Sequence, residues 1–320
     1  MFGKTSSNLV LPTMPRRRKE RQTIRNLKKG YYHLSTDGWK DGFLFHTTEQ
    51  YAYGMTVIGL LSLQADIIIY SFSLMSNHVH ILLSGNGNAC LKAFDYLRIK
   101  LSARLRKDGY SPIPDDYWFK LTLVEDQEQM KNNFIYVDRN AYEQQICVPT
   151  GYPWSSSYLH HSQWGTLIKG RRADSYSKRE LEALTGSRTP IPPHWEFHPT
   201  LGLLPSSFID NKLFFRLFNN PKDYESRLVK DYEAFVKVGK TLGETPVFSE
   251  GEINEIVEQL VLNLFPGRRI RQLSNDEKGR LAIVLMKNYG MTAGDVALAI
   301  NVSEHIVNQW LRAKDYGKIR

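Results

Sequence analysis

The chain has little cysteine, no long apolar run and no nucleotide-binding loop. Its two cysteines, Cys90 and Cys147, are too few and too far apart for a disulfide framework or a zinc-cysteine cluster. The longest apolar stretches, 57–61 and 67–70, fall far short of the roughly 20 residues of a membrane span. A Gly-rich loop ending in Lys-Ser/Thr is missing, which argues against nucleotide hydrolysis. The basic N-terminus lacks the apolar segment of a signal peptide, so we expect a cytoplasmic protein without a membrane partner.

Acidic residues are scarce relative to basic ones. The chain has 42 Lys and Arg against 33 Asp and Glu, a net charge of +9, which indicates a polyanionic partner. Basic residues cluster at 15–29 and again at helical spacing within 89–107. The residues predicted to contact a phosphate backbone are Arg16, Arg17, Arg18, Lys19, Arg98, Lys100 and Arg104. The alternative for the cluster at 15–29 is a solvated tail with no role.

The tripeptide His78-Val79-His80 has the spacing of a metal site on a strand. Side chains alternate between the two faces of a strand, so both histidines would point the same way while Val79 and Ile81 turn to the buried side. Neutral imidazole is the commonest protein metal ligand, and two of them leave a divalent ion with positions for an oxygen ligand or a phosphate. The alternative is a pair of half-exposed polar residues that bind nothing.

A later segment predicts a helix that carries Tyr136 and Asn140. An acidic start at 125–128 and the apolar spacing that follows favour a helix over 126–139. Residues four apart on a helix lie on one face, so a phenol and an amide oxygen would be presented together. That arrangement suits a nucleophile beside a metal ligand. The alternative is that Tyr136 is an ordinary aromatic residue of the core.

Together with their surroundings, these segments resemble the HUH single-tyrosine transposases, and most closely the REP-associated tyrosine transposases. The matching boxes are Gly-Tyr-Tyr-His-Leu-Ser (30–35), Phe-Leu-Phe (43–45), Ser-Leu-Met-Ser-Asn-His-Val-His-Ile-Leu-Leu (73–83), Phe-Ile-Tyr-Val-Asp-Arg-Asn (134–140) and Gly-Tyr-Pro-Trp-Ser-Ser-Ser-Tyr (151–158). The resemblance covers roughly residues 30 to 165. The chain departs from the family at Ala141, where relatives usually have proline, so we expect the helix to run on past Asn140.

The resemblance implies a fold, a chemistry and a substrate. It implies a ferredoxin-like antiparallel sheet, Mg²⁺ or Mn²⁺ bound by His78, His80 and Asn140, and Tyr136 as the catalytic nucleophile. Attack of the phenolate on a phosphodiester would give a 5′-phosphotyrosine and a free 3′-hydroxyl, and the covalent bond would conserve the energy for rejoining. The implied partner is DNA, both single-stranded and hairpin, cut and rejoined in transposition by a monomer or homodimer.

The order of predicted elements favours an α+β class, with an antiparallel sheet covered by helices. The predicted strands are 31–35, 66–75, 78–84 and 118–124, and the predicted helices are 48–64, 89–107, 126–139, 223–238 and 250–264. We divide the chain into a basic arm (1–29), a nuclease domain (30–165), a linker (166–210), a helical region (211–270) and a DNA-binding domain (271–320).

The last fifty residues resemble a helix-turn-helix. Ser274 and Gly290 are the start and stop signals of one helix, and a short helix from 292, a turn at Asn301 and a second helix capped by Ser303 follow it. The second helix of such a motif enters the major groove. The side chains predicted to face DNA are Glu304, His305, Asn308, Gln309 and Arg312. The alternative is a helical hairpin used only for packing or dimer formation.

Two other functions remain open at this point. One is a replication-initiator or relaxase-type nickase, which shares the His-x-His and tyrosine chemistry but often has a second tyrosine; the Tyr-Pro-Trp box at 152–154 argues against it. The other is a non-catalytic DNA-binding regulator, in which the nuclease domain is a relic. The presence of His78, His80, Tyr136 and Asn140 together argues against decay.

Overall fold

A computed structural model of the protein describes residues 14–39, 42–143, 151–161, 164–245 and 247–312. The chain forms two compact units: the first is Met1–Met130 with Thr150–Leu217, and the second is Lys131–Pro149 with Phe218–Arg320. Within the described ranges no helix combines the length and the apolar character needed to cross a membrane.

The first unit is built on a four-stranded sheet in which every neighbouring pair is antiparallel. Its strands are β1 (Gly30–Thr36), β2 (Ile68–Leu74), β3 (Val79–Gly85) and β4 (Phe119–Val124), in the spatial order β2-β3-β1-β4. Three helices accompany the strands: α1 (Met14–Arg25), α2 (Thr48–Gln64) and α3 (Gly87–Lys107). The predicted α+β class and antiparallel sheet are confirmed, and the predicted helix over 48–64 matches α2 residue for residue.

Alternation along the strands decides which side chains enter the core. Leu34, Val79 and Ile81 are fully buried in one apolar cluster with residues of α2 and α3, whereas their neighbours His33 and His80 point to the other face. Val79 and Ile81 therefore lie on the side of this apolar cluster, as the sequence predicts, while His33 and His80 on the opposite face are also fully buried.

Cys90 does not offer a reactive thiol. Cys90 on α3 lies in the same apolar cluster, and burial raises the pKa of its thiol to about 12, so it is chemically inert. Cys147 lies outside the described residues.

The Tyr-Pro-Trp-Ser-Ser box is a structural extension of the sheet at the edge strand β2. The amide of Leu74 donates to the carbonyl of Trp154 at 2.9 Å, and the amide of Ser156 donates to the carbonyl of Phe72 at 3.0 Å. The Tyr152 hydroxyl donates to the Leu74 carbonyl at 2.7 Å. The box thus satisfies the backbone groups of an otherwise open sheet edge.

The segment 166–210, which the sequence presents as a linker, has ordered elements and a small apolar core. Its elements, with the helices on either side, are α5 (Trp164–Leu167), β5 (Arg171–Arg172), α6 (Lys178–Thr185), β6 (Glu196–His198), β7 (Gly202–Leu203) and α7 (Asn211–Leu217). Ala173, Trp195, Phe197 and Leu203 are buried together. The sequence does not predict this small core, because its apolar residues are separated by proline-rich turns and none belongs to a periodic run.

The second unit is helical. It takes most of α4 (Gln127–Glu143) and contains α8 (Pro221–Lys230), α9 (Tyr232–Leu242), α10 (Glu250–Leu264), α11 (Asn275–Tyr289), α12 (Ala293–Ala299) and α13 (Glu304–Arg312). Helix α4 continues past Asn140, as expected from Ala141. The predicted helix over 250–264 is confirmed.

The predicted helix over 223–238 is wrong in one respect, because the chain breaks at Asp231. The amide of Asp231 closes α8 on the carbonyl of Arg227 at 3.1 Å, and its carboxylate accepts from the amide of Ala234 at 3.2 Å to begin α9. An aspartate that caps a new helix overrides a continuous apolar period.

The C-terminal helices begin and end at the residues that the sequence marks. Ser274 and Glu277 form a capping box at the start of α11, Gly290 ends it in the left-handed region, and Asn301 makes the next turn at a φ of 54°. The apolar residues of α11–α13 share one buried cluster with α9 and α10. The sequence predicts separate regions at 211–270 and 271–320. From Phe218 onward the two regions share one core.

Candidate functional site

His78 and His80 lie together on the face of the sheet away from α2 and α3. Their ring centroids are 4.9 Å apart and the ring planes are perpendicular, at 89°. A metal ion bound to two imidazole nitrogens at about 2.1 Å holds the rings at roughly this separation. The two rings are therefore spaced as a chelating pair.

Each of these rings uses its Nδ1 atom in a hydrogen bond. The Nδ1 of His78 lies 2.8 Å from the amide oxygen Oδ1 of Asn77. Because an amide oxygen only accepts, Nδ1 carries the proton, and the lone pair of neutral His78 is then on Nε2. The Nδ1 of His80 lies 3.1 Å from Nε2 of His33. When His80 donates in that contact, its Nε2 likewise carries the lone pair that a metal needs.

His33 is a member of this group that the sequence did not single out. It lies on β1, is fully buried, and faces His80 because β1 and β3 pair antiparallel with Ser35 opposite His80. The only signal was its place in the box at 30–35. Strand register is a long-range property, so the spacing within one segment could not have placed His33 beside His80.

The electrostatics of the group favour neutral imidazole at His80. Burial, and then the neighbouring His78 and His33, lower the pKa of His80 well below 6.5. An imidazole must be neutral to ligate a metal, so His80 is in the required state at neutral pH.

His78 and His80 offer two imidazole nitrogens as donors for one ion. Among the described residues, no three His, Cys, Asp or Glu side chains are arranged to hold an ion. The amide oxygen of Asn140 remains the predicted third ligand.

Tyr136 and Asn140 belong to the second unit, whereas His78 and His80 belong to the first. Tyr136 is 1% exposed, stacks on Phe235 at a centroid distance of 4.8 Å, and donates its hydroxyl hydrogen bond to the carboxylate of Glu244. Asn140 is fully buried, and its amide nitrogen donates to the Tyr136 carbonyl at 2.8 Å. The Oδ1 of Asn140 has no hydrogen-bond partner among the described residues, which is unusual for a buried amide oxygen.

Buried polar contacts hold the part of α4 that carries Tyr136. The guanidinium of Arg139 is 2% exposed, pairs with the carboxylate of Glu252 at 2.5 Å and donates to the Leu228 carbonyl at 2.9 Å. The hydroxyl of Tyr224 donates to Asp138 at 2.8 Å. These contacts fix the rotation of α4 in the second unit.

The basic residues predicted to contact DNA fall into two groups. Arg17, Arg18, Lys19 and Arg98 line one groove of the first unit. Lys100 instead donates to the Gly186 carbonyl, and Arg104 forms an ion pair with Asp108 at 2.6 Å. Arg16 is within α1, but its side chain lies outside the described part of the structure.

The predicted DNA-facing side chains of α13 are on its solvent side. His305, Gln309 and Arg312 are exposed and Asn308 is half-buried, opposite the buried Val307 and Trp310. The Nε2 atoms of His305 and Gln309 are 3.0 Å apart. Helix α13 thus presents a polar face to solvent.

Comparisons with known proteins give little further information. No family model matches the chain, and no curated protein matches it. One similar solved structure is that of a REP-associated tyrosine transposase bound to a REP hairpin, at 12% identity and a TM-score of 0.34, covering 42% of this chain and 82% of that chain. A TM-score this low carries no argument about function.

Proposed function

We propose that the chain is a metal-dependent, single-stranded DNA transposase or endonuclease that cleaves and rejoins DNA through Tyr136. The observation that carries this proposal is the pair His78 and His80, spaced for one ion and each with its Nδ1 engaged. The sheet order β2-β3-β1-β4, with α2 and α3 as the connecting helices, supports a ferredoxin-like nuclease domain.

The proposed cofactor is Mg²⁺ or Mn²⁺, held by His78, His80 and Asn140. When bound, such an ion neutralises the non-bridging phosphate oxygens of the scissile phosphodiester. Asn77 and His33 orient the two imidazoles through their Nδ1 atoms. Two nitrogen ligands favour Mn²⁺ over Mg²⁺ in vitro, since Mg²⁺ prefers oxygen.

The proposed step exchanges one phosphoester bond for another. The phenol oxygen of Tyr136 forms a bond to phosphorus while the bond from phosphorus to the 3′ oxygen breaks, which leaves a 5′-phosphotyrosine and a 3′-hydroxyl. The Glu244 carboxylate, which accepts the hydrogen bond of the phenol, is placed to take its proton. The departing 3′ oxygen takes a proton from solvent. Attack by another 3′-hydroxyl reverses the step and rejoins the strand.

The burial of Tyr136 sets a condition on this proposal. A side chain that is 1% exposed does not reach a phosphodiester in the arrangement described. Its attack therefore requires Phe235 and its neighbours to move off the phenol while Glu244 stays hydrogen-bonded to it, with DNA binding as the source of the free energy. The same burial favours the second candidate function, a DNA-binding regulator in which Tyr136 is a core residue.

The proposed role of α13 is to hold the duplex stem of a hairpin through His305, Asn308, Gln309 and Arg312. Because α11–α13 share a core with α9 and α10, removal of everything after residue 270 would expose that core. Point substitutions are therefore the better test. The triple variant His305→Ala/Asn308→Ala/Arg312→Ala should weaken hairpin binding at least tenfold, because the loss of even one base contact typically lowers affinity by about this factor.

A matched control for α13 lies on α10 of the same unit. Asn254→Ala/Gln259→Ala/Asn263→Ala replaces three exposed polar side chains of that helix and should leave hairpin affinity unchanged. Equal affinity for both triple variants and the wild type would show that α13 does not contact the duplex.

The metal site is tested by His78→Ala and His80→Ala. Each should lose the Mn²⁺ binding measured by titration calorimetry and the metal-dependent cleavage of labelled single strands from the DNA flanking the coding region. His194→Ala, at an exposed position, is the control and should retain both. Cleavage in chelator as fast as cleavage in Mn²⁺ would contradict a metal-dependent mechanism.

A further inference from the structure

A groove lined by basic and aromatic residues runs along the first unit, beside α1. Its volume is about 1240 Å³. Helix α1 contributes one wall, α3 contributes Phe94 and Arg98, and the residue just before β4 is Trp118. We call this cavity the α1 groove. The sequence placed the basic residues of α1 and α3 in separate clusters, and the fold brings them together.

The α1 groove exists because the segment after α1 packs tightly against the start of α3. Ile24 and Leu27 contact the core of the first unit, and the amide of Gly87 donates to the Leu27 carbonyl at 3.0 Å. A Cβ atom at Gly87 would lie 1.6 Å from the carbonyl oxygen of Ile24. Only glycine allows this approach, so residue 87 determines whether α1 can dock.

Two arginines of α1 form part of the fixed wall. The guanidinium of Arg17 donates to the carbonyls of Asp115 and Asp116, and Arg21 pairs with Asp95 on α3. Both guanidinium groups lie 5.5 Å from the ring centroid of Trp118. Flat guanidinium and indole surfaces of this kind are the ones on which unpaired bases stack.

The charge of the α1 groove is strongly positive. Six basic side chains and two carboxylates line it, and both carboxylates are already paired, Asp95 with Arg21 and Asp115 with Arg98. Arg18, Lys19 and Arg25 are exposed and take part in no ion pair among the described residues. Three cations thus remain to bind phosphates along a surface where bases can stack.

We propose that the α1 groove binds the backbone of single-stranded DNA without regard to sequence, with Arg18, Lys19 and Arg25 on the phosphates and Trp118 beside the bases. This inference rests on the proposed function in one respect, since it assumes that DNA is the polyanion. It needs neither the metal nor the chemistry of Tyr136. A duplex, whose bases are already stacked on one another, cannot use the Trp118 surface.

The test is equilibrium binding of a fluorescent 20-nucleotide oligo(dT) in chelator, so that no cleavage occurs. The full-length variant Arg18→Glu/Lys19→Glu/Arg25→Glu should bind at least tenfold more weakly at 0.1 M salt. Its slope of log affinity against log salt should be smaller by about two, since each lost phosphate contact to a single strand removes about 0.7. Trp118→Leu should also weaken binding severalfold, whereas Trp118→Phe should retain it.

A matched control separates the groove from the net charge of the protein. Lys178→Glu/Arg179→Glu/Lys212→Glu makes the same charge change at exposed positions of the first unit outside the groove and should bind nearly as tightly as wild type. Equal losses in both triple variants would overturn the proposal in favour of diffuse attraction. Tighter binding of a 20-base-pair duplex than of oligo(dT) would overturn the single-strand assignment. Neither result bears on the covalent chemistry of Tyr136, which is measured separately as an adduct.

Discussion

The buried ion pair between Arg139 and Glu252 should stabilise the second unit around α4, the helix that carries Tyr136. Arg139 is 2% exposed and Glu252 is 15% exposed, so Arg139→Met leaves a mostly buried carboxylate without its cation. Removal of one partner of a buried pair typically costs about 3 to 5 kcal/mol. Glu252 keeps the hydrogen bonds of its capping box with Ser249, so the lower end, about 3 kcal/mol, applies here.

The control is the same substitution at a partly exposed arginine of the second unit. Arg227 pairs with Asp223 four residues away, and its side chain retains 23% exposure, so Arg227→Met should cost no more than about 0.5 kcal/mol. Peptide-resolved hydrogen exchange reports the opening free energy of residues 218–320 separately from the first unit. Arg139→Met should speed their slowest exchange roughly hundredfold, and Arg227→Met should change it about twofold.

The double variant Arg139→Met/Glu252→Gln tests whether the unpaired carboxylate causes the loss of stability. It removes both charges, and glutamine can still complete the capping box at Ser249. The double variant should therefore be more stable than Arg139→Met alone. An Arg139→Met protein as stable as Arg227→Met, or a double variant less stable than Arg139→Met, would refute the assignment of a buried, uncompensated charge.

Three further predictions concern stability. Burial and the Asp138 carboxylate raise the pKa of Tyr224 well above 10, so at high pH this tyrosine stays neutral in the folded protein but ionises in the unfolded chain. The free energy of unfolding of the second unit, measured by urea titration, should therefore fall above pH 10 by up to about 1.4 kcal/mol per pH unit for this tyrosine. A flat profile would contradict this prediction. Asn301 has a φ of 54°, so Asn301→Ala should lower stability by about 1 kcal/mol while Asn301→Gly should not, as thermal melts can show. Gly87→Ala should undock α1 and speed tryptic cleavage within 14–29, whereas Gly251→Ala, where a Cβ meets nothing within 4 Å, should leave that rate unchanged.

Much of the local structure follows from the sequence, because local signals specify it. Val79 and Ile81 lie on the opposite face of the strand from His80 because strand side chains alternate between faces. The C-terminal helices start at Ser274 and turn at Asn301 because those residue types satisfy the backbone there. Helix α2 starts where the Thr47 side chain accepts from the amide of Gln50, and it continues through a run that is buried from Gly54 to Leu61.

The parts that sequence reasoning missed depend on contacts between distant residues. His33 meets His80 only through strand register, and Tyr136 meets Phe235 and Glu244 only through tertiary packing. The break at Asp231 is a competition between a cap and an apolar period, which no local rule resolves in advance.

The central claim is that Tyr136 attacks DNA, and the direct measurement is a covalent adduct. Wild type incubated with Mn²⁺ and labelled single strands from the flanking DNA should give a protein-linked label on a denaturing gel, and peptide mass spectrometry should locate it at Tyr136. Tyr136→Phe, which loses the phenol but keeps the stacking on Phe235, should bind the same strands and give no adduct. Tyr232→Phe, a buried tyrosine of the same unit, should still form one. An adduct that persists in Tyr136→Phe, or a wild type that binds these strands tightly yet forms none, would contradict the account.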